Sequence, residues 1–113
     1  MLTKLRIMYW KEIPVQVQAE DSDGQISKPL NSRFQEGVDA ISMFDGSNGT
    51  DDYLNGWSWG PYEVLAHNKQ EILDKTVCKF NQHFPQNFVA RIRDLHKSGL
   101  RDPRPSAIDH WMG

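Results

Sequence analysis

The sequence predicts an α+β domain: a small three-stranded, mainly antiparallel sheet, in the order β-β-α-β-α-α, with helices packed on one face. Three observations predict it. Residues 4–10 and 13–20 alternate apolar and polar side chains at the period of a strand. Residues 69–84 place Leu73, Val77, Phe80 and Phe84 on one narrow arc at the helical ~100° per residue. Glycine, proline and Asp-Gly breakers divide the chain into short elements. A hairpin followed by amphipathic helices is most economically closed as two layers.

Taken in order, Leu5, Ile7 and Tyr9 alternate with Arg6, Met8 and Trp10 in the first strand. In "IPVQVQAE", Ile13, Val15, Val17 and Ala19 face one way and Gln16, Gln18 and Glu20 the other, the pattern of a half-buried antiparallel strand. Pro14 suits a strand end or edge. Lys11-Glu12 is short enough for a hairpin turn. Asp21–Pro29 reads as a loop, because Asp23-Gly24 and Pro29 are strong breakers. A helix follows, capped by Asn31 or Ser32, with Phe34, Val38, Ile41 and Met43/Phe44 at helical spacing and Asp45-Gly46 at its end. Gly37 inside it costs ~1 kcal/mol relative to alanine, and leaves room for a bulky ring or another backbone.

Thr50 is placed to cap a short turn, with Asp51 and Asp52 at its positive end. Gly56, Gly60 and Pro61 break the chain again, and Tyr62–His67 alternates as the third strand. Asn68 and Glu71 have capping-box spacing before the strongest helix of the chain. A last helix begins after Pro85, turns Phe88, Ile92 and Leu95 inward, and stops at Gly99. The expected organisation is one α+β domain over residues 1–99 and a Pro-rich, irregular tail over 100–113, in which Trp111 is the side chain suited to dock.

Bulk properties exclude several classes. At 113 residues the chain is long enough for one modest core. Its 38% hydrophobic and 11% aromatic content is that of a folded domain. The net charge of -2 argues against a nucleic-acid or membrane-surface binder. The charge is mildly uneven: residues 1–70 hold 6 Lys/Arg against 10 Asp/Glu, and residues 71–113 hold 7 against 5. The single cysteine, Cys78, forms no internal disulfide and holds no cluster alone. No signal-type apolar run precedes Lys11-Glu12. These features predict a cytoplasmic protein that needs no cofactor and no metal.

The spacing of the polar residues limits the candidate chemistry. Asp45, Asp51 and Asp52 suggest a calcium loop, but a loop starting at Asp45 needs Gly at its sixth position and Glu at its twelfth, where Thr50 and Gly56 stand. His67, His83, His96 and His110 show no helical metal-pair spacing. "GSNG" and "GWSWG" do not match phosphate-binding loops. Cys78 lies mid-helix, off the apolar arc and away from a thiolate-stabilising helix N-terminus. No residue is assigned a catalytic role, and the balance is against an enzyme.

One ordered set of motifs remains: Tyr9-Trp10, Ile13-Pro14 and Gln16-Val17, then Arg33-Phe34-Gln35 and Val38–Met43, then "TDDYLNGWSWG" at Thr50–Gly60. On these motifs the chain resembles, over residues 4–84, the small bacterial domain family called virulence factor, which also occurs within conserved virulence factor C proteins. The resemblance implies an accessory or interaction module, because in the larger proteins the domain accompanies helical repeats and a segment similar to the N-terminal part of iron–sulfur scaffolds. It supplies no catalytic residues. Its motif positions here, Arg33, Gln35, Asp39, Asp52, Tyr53 and Trp57, are candidates for a shared surface or a buried network, and together with Trp59 they make the candidate binding surface for a protein partner. The leading expectation is therefore a non-catalytic interaction domain with Tyr53, Trp57 or Trp59 exposed near Arg33 and Gln35. The alternative is a small-molecule binder, or an accessory subunit of a cofactor or one-carbon enzyme, with a polar cluster of Arg33, Asp39 and Asp52.

Overall fold

In the computed structural model, which describes residues 2–113, the two alternating runs form the expected hairpin. β1 (Thr3–Trp10) and β2 (Ile13–Asp21) pair antiparallel, with Leu5 opposite Ala19 and Ile7 opposite Val17. Residue 1, at the start of the expected 1–99 domain, lies outside the described residues. The turn is closed by Lys11 in the left-handed region (φ 49), whose N–H donates to the Gly56 carbonyl at 2.7 Å. A bulge shifts the register between Met8 and Tyr9, so that Met8 faces Gln16 and Tyr9 faces Pro14. Val15, the unpaired residue, gives its carbonyl to the Leu30 N–H instead. Pro14 has no N–H to donate, which makes it a natural neighbour of such a bulge.

The segment expected as a loop, Asp21–Pro29, contains a strand. β3 (Gly24–Pro29) pairs antiparallel with β2 over its whole length. Asp21 Oδ1 accepts from the Asp23 N–H, and Gly24 takes φ +125, so the breakers make a tight reversal rather than an open loop. The alternation is nearly silent in the sequence because Ile26 is the only apolar side chain facing Ala19.

The third strand expected at Tyr62–His67 is shorter and has a companion. β4 (Trp57–Trp59) and β5 (Glu63–Leu65) both pair antiparallel with the free edge of β1, lying end to end along it. Gly60 N–H donates to the Ile7 carbonyl between them, so the ladder continues across the break. The sheet therefore has five strands in the order β3-β2-β1-β4, with β5 beside β4 on β1.

The helices pack on the face carrying Leu5, Val17 and Ala19. α1 (Ser32–Phe44) buries Phe34, Val38 and Ile41 and leaves Met43 exposed. Asn31 is its N-cap residue but makes no side-chain capping bond. A Cβ on Gly37 would stand 2.5 Å from the Phe88 ring, so the glycine admits the close approach of an aromatic side chain. α2 (Asp51–Asn55) is a single turn. Thr50 precedes it without capping it, because its hydroxyl donates to the Ser47 carbonyl. α3 (Lys69–His83) has the predicted cap, Asn68 Oδ1 accepting from the Glu71 N–H at 3.1 Å. It buries Leu73, Val77 and Phe80, with Phe84 at its C-cap. α4 (Phe88–Lys97) packs on α1 through Phe88 and Ile92. Phe34, Phe84 and Phe88 form the aromatic centre of the core, with ring centroids 5.3–5.5 Å apart.

The tail is mostly irregular but not detached. It ends in a 3₁₀ turn at Asp109–Met112, buries Ile108 against the core, and half-buries Trp111. No helix among the described residues is long and apolar enough to cross a membrane.

Candidate functional site

The candidate residues fall into three separate environments. Arg33 serves the core: its guanidinium donates to the carbonyls of Asn81, Phe84 and Pro85, fastening the corner between α3 and α4, and lies 4.5 Å from the centroid of the Phe34 ring. Burial pulls its pKa down. Gln35 and Asp39 are exposed neighbours one helical turn apart, 3.4 Å between their side chains. Asp52 is ion-paired to Lys11 at 2.8 Å. The expected polar cluster of Arg33, Asp39 and Asp52 does not assemble: no hydrogen bond or ion pair joins any two of them among the described residues.

Tyr53, Trp57 and Trp59 belong to the face of the sheet turned away from α1 and α3. Side chains on a strand alternate between faces, so Lys4, Arg6, Met8 and Trp10 of β1 share that face. α2 closes one end of it. Trp10 is fully buried there, its indole Nε1 donating to the Tyr53 carbonyl at 2.9 Å, and its ring lies 5.7 Å from Tyr53. Tyr53 meets Trp57 edge-on at 6.3 Å. A Cβ on Gly56 would lie 2.6 Å from Trp10 Nε1, so this close approach requires glycine.

A buried ionic network locks the same end. Arg101, from the tail, makes a two-pronged pair with Glu12 in the hairpin turn at 2.7 and 2.8 Å, and a further bond to Asp45 at 3.0 Å. Lys11 bridges Asp45 and Asp52. The Asp45 carboxyl feels opposed effects: burial disfavours its charge, but bonds from Ser47, Lys11 and Arg101 prevail and hold its pKa well below the usual carboxylate range. The acid weighed as a metal ligand is thus the hub of a salt-bridge network. Among the described residues no group of three or more His, Cys, Asp or Glu side chains gathers in a metal-binding arrangement.

At the other end the face is open. Arg6 lies 3.9 Å from the centre of the Trp59 ring and 4.6 Å from that of Tyr62, and its Nε donates to Gln18 Oε1 at 2.7 Å. Lys4 lies 5.6 Å from the centre of the Tyr62 ring. Tyr62 and Val64 are 45% and 55% exposed. Sequence reasoning named Trp59 but missed Arg6, Tyr62 and Lys4; the alternation of β1 against the tryptophans was the available signal.

On the helical face, a cavity of about 610 Å³ opens between β1, β5, α3 and the tail. At its tail side the Tyr9 hydroxyl donates to Asp109 Oδ2. Burial, followed by the Asp109 charge and hydrogen bond, pushes the Tyr9 pKa up strongly; burial likewise raises that of Asp109. None of the sequence-predicted residues lines this cavity.

The model of the family described as virulence factor matches residues 8–92, well over half of the chain. The chain belongs to the virulence factor family. No curated protein and no solved structure matches it significantly. The virulence factor match takes in the end of β1 from Met8, the hairpin turn and β2, the closed end around Trp10 and Tyr53, and Trp59 and Tyr62 on the open face, whereas Lys4 and Arg6 precede it. Arg101 and Asp109, which tie the tail to that domain, lie beyond it.

Proposed function

We propose that this virulence factor domain is a non-catalytic interaction module that binds a protein partner through the open end of its sheet face. The observation that carries the reading is the Lys4–Tyr62–Arg6–Trp59 array. Aromatic rings and arginine are the side chains enriched where protein interfaces concentrate their binding energy, and here they are stacked on one another, with Lys4 and Tyr62 exposed and Arg6 and Trp59 partly so. Stacking holds the guanidinium and rings in place before contact, which lowers the ordering cost of binding. The reading keeps Trp59 from the expected surface and moves the site away from Arg33 and Gln35.

The test is quantitative capture with the full chain as bait in three forms: wild type, Trp59→Ala/Tyr62→Ala, and Met43→Ser as a control that removes an exposed apolar side chain elsewhere. A specific partner is expected to fall at least tenfold with the double variant and to be retained by the control, with both variants folded by circular dichroism. Capture of the same proteins at the same yield by all three forms rejects this face as the site.

A further inference from the structure

The cavity on the helical face has a composition that the folded core does not require. Its floor is apolar, built from Leu5 and Ile7 of β1 and Ile72 and Phe80 of α3. Its α3 wall carries two lysines. Lys75 and Lys79 stand one helical turn apart on α3, where like charges repel, and neither has an ion-pair partner among the described residues. Lys69 of the same helix, by contrast, is paired with Asp21 at 3.0 Å. Two acids also line the space. Glu63 is exposed, and Asp109 accepts from the Tyr9 hydroxyl and feels the charge of Lys79. Lys75 and Lys79 share the α3 wall of the cavity with Ile72 and Phe80 of its floor, so an anionic headgroup between them meets two cations while its chain meets apolar side chains. The volume of about 610 Å³ lies within the ordinary range for small-molecule sites, which combine an apolar lining with a few placed polar groups.

We propose that this cavity binds a small amphipathic carboxylate, with its headgroup between Lys75 and Lys79 and its hydrocarbon chain on Leu5, Ile7, Ile72 and Phe80. The site is separate from the open sheet face and stands or falls without it. Lysine acts here as a point charge rather than a planar fork, so the headgroup is recognised by charge and the chain by length. Each methylene buried on the floor is expected to tighten binding roughly fourfold.

The full chain is titrated with octanoate, octanol and octylammonium, and with hexanoate and decanoate, followed by amide chemical shifts. Saturable shifts are expected at the cavity residues, with octanoate binding at least tenfold tighter than octanol, octylammonium weakest, and affinity rising from hexanoate to decanoate. Lys75→Met/Lys79→Met is expected to lose at least tenfold for octanoate and to leave octanol binding unchanged; both lysines are exposed, so the variant retains the fold, as its unfolding curve will show. Equal binding of octanoate and octanol, an unchanged octanoate affinity in the double variant, or an absence of saturable shifts at the cavity overturns the proposal.

Discussion

Trp57 and Trp59 stand two residues apart in one short strand and point to the same side of the sheet, yet they lie in opposite surroundings. Trp57 sits at the closed end, edge-on to Tyr53, beside fully buried Trp10 and under the turn of α2. Trp59 sits at the open end beneath the Arg6 guanidinium, which it shares with exposed Tyr62. The difference is made by what is fastened over each end. Over Trp57 the chain is pinned by the Trp10 indole bond, the Lys11–Gly56 backbone bond and the Arg101–Glu12–Asp45 network. Residue type alone does not decide whether an aromatic ring is core or contact surface; the fastening around it does.

If that fastening makes the difference, the largest effect comes from removing its centre. Arg101→Met leaves Glu12, 1% exposed, without its buried counter-charge and Asp45 with Lys11 alone, and breaking such a pair costs about 3–5 kcal/mol. Urea unfolding measures it, and a loss below 1 kcal/mol would mean that the tail does not hold the closed end. Gly56→Ala drives a methyl against the Trp10 indole and is expected to cost about 1–3 kcal/mol by overpacking, with a change in tryptophan fluorescence reporting displacement of Trp10.

Acid sharpens the same comparison. The Asp45 carboxyl titrates below its unfolded value of about 3.9. Its contribution to stability is therefore complete above about pH 5 and is lost as the pH falls toward the folded pKa. Asp45→Asn is expected to lower stability by about 1–2 kcal/mol at pH 7, and the gap to wild type should close between about pH 5 and pH 2 in urea midpoints. A gap independent of pH would show that packing, not charge, matters at this position. The smallest effect belongs to the open end: Trp59→Ala forfeits a partly exposed cation–π stack of about 0.5–1 kcal/mol. A larger loss in thermal unfolding would make Trp59 part of the core and remove the basis for a contact surface there.

The hairpin, α1, α3 and α4 were legible because each repeats its period several times: Leu5, Ile7 and Tyr9 against Val17 and Ala19, and Leu73, Val77, Phe80 and Phe84 along one face. β3 was not, since an edge strand with only Ile26 turned inward has almost no alternation to read. β4 was hidden for a different reason. Its three residues lie between Gly56 and Gly60, and those glycines mark close contacts with Trp10 and Tyr9 rather than a loop. The functional geometry was the least legible part. Glu12 and Arg101 are 89 residues apart, Tyr9 and Asp109 100 residues apart, and no local spacing announces such pairs. Arg33 shows the converse: its motif position was visible, but its role as a fastener of three carbonyls depends on a corner that only folding brings to it.

The end-to-end placement of β4 and β5 along β1 bears on how these molecules behave when crowded. The long central strands have no free edge, and the outer edges of the sheet are two three-residue pieces interrupted at Gly60-Pro61 on one side and, on the other, a strand with exposed Ser27, Lys28 and Pro29. A strand from another molecule would find, on either side, too short a ladder or a charged and proline-blocked one. The sheet thus resists templating fibrillar stacks, even while it presents aromatic rings to solvent on its open face.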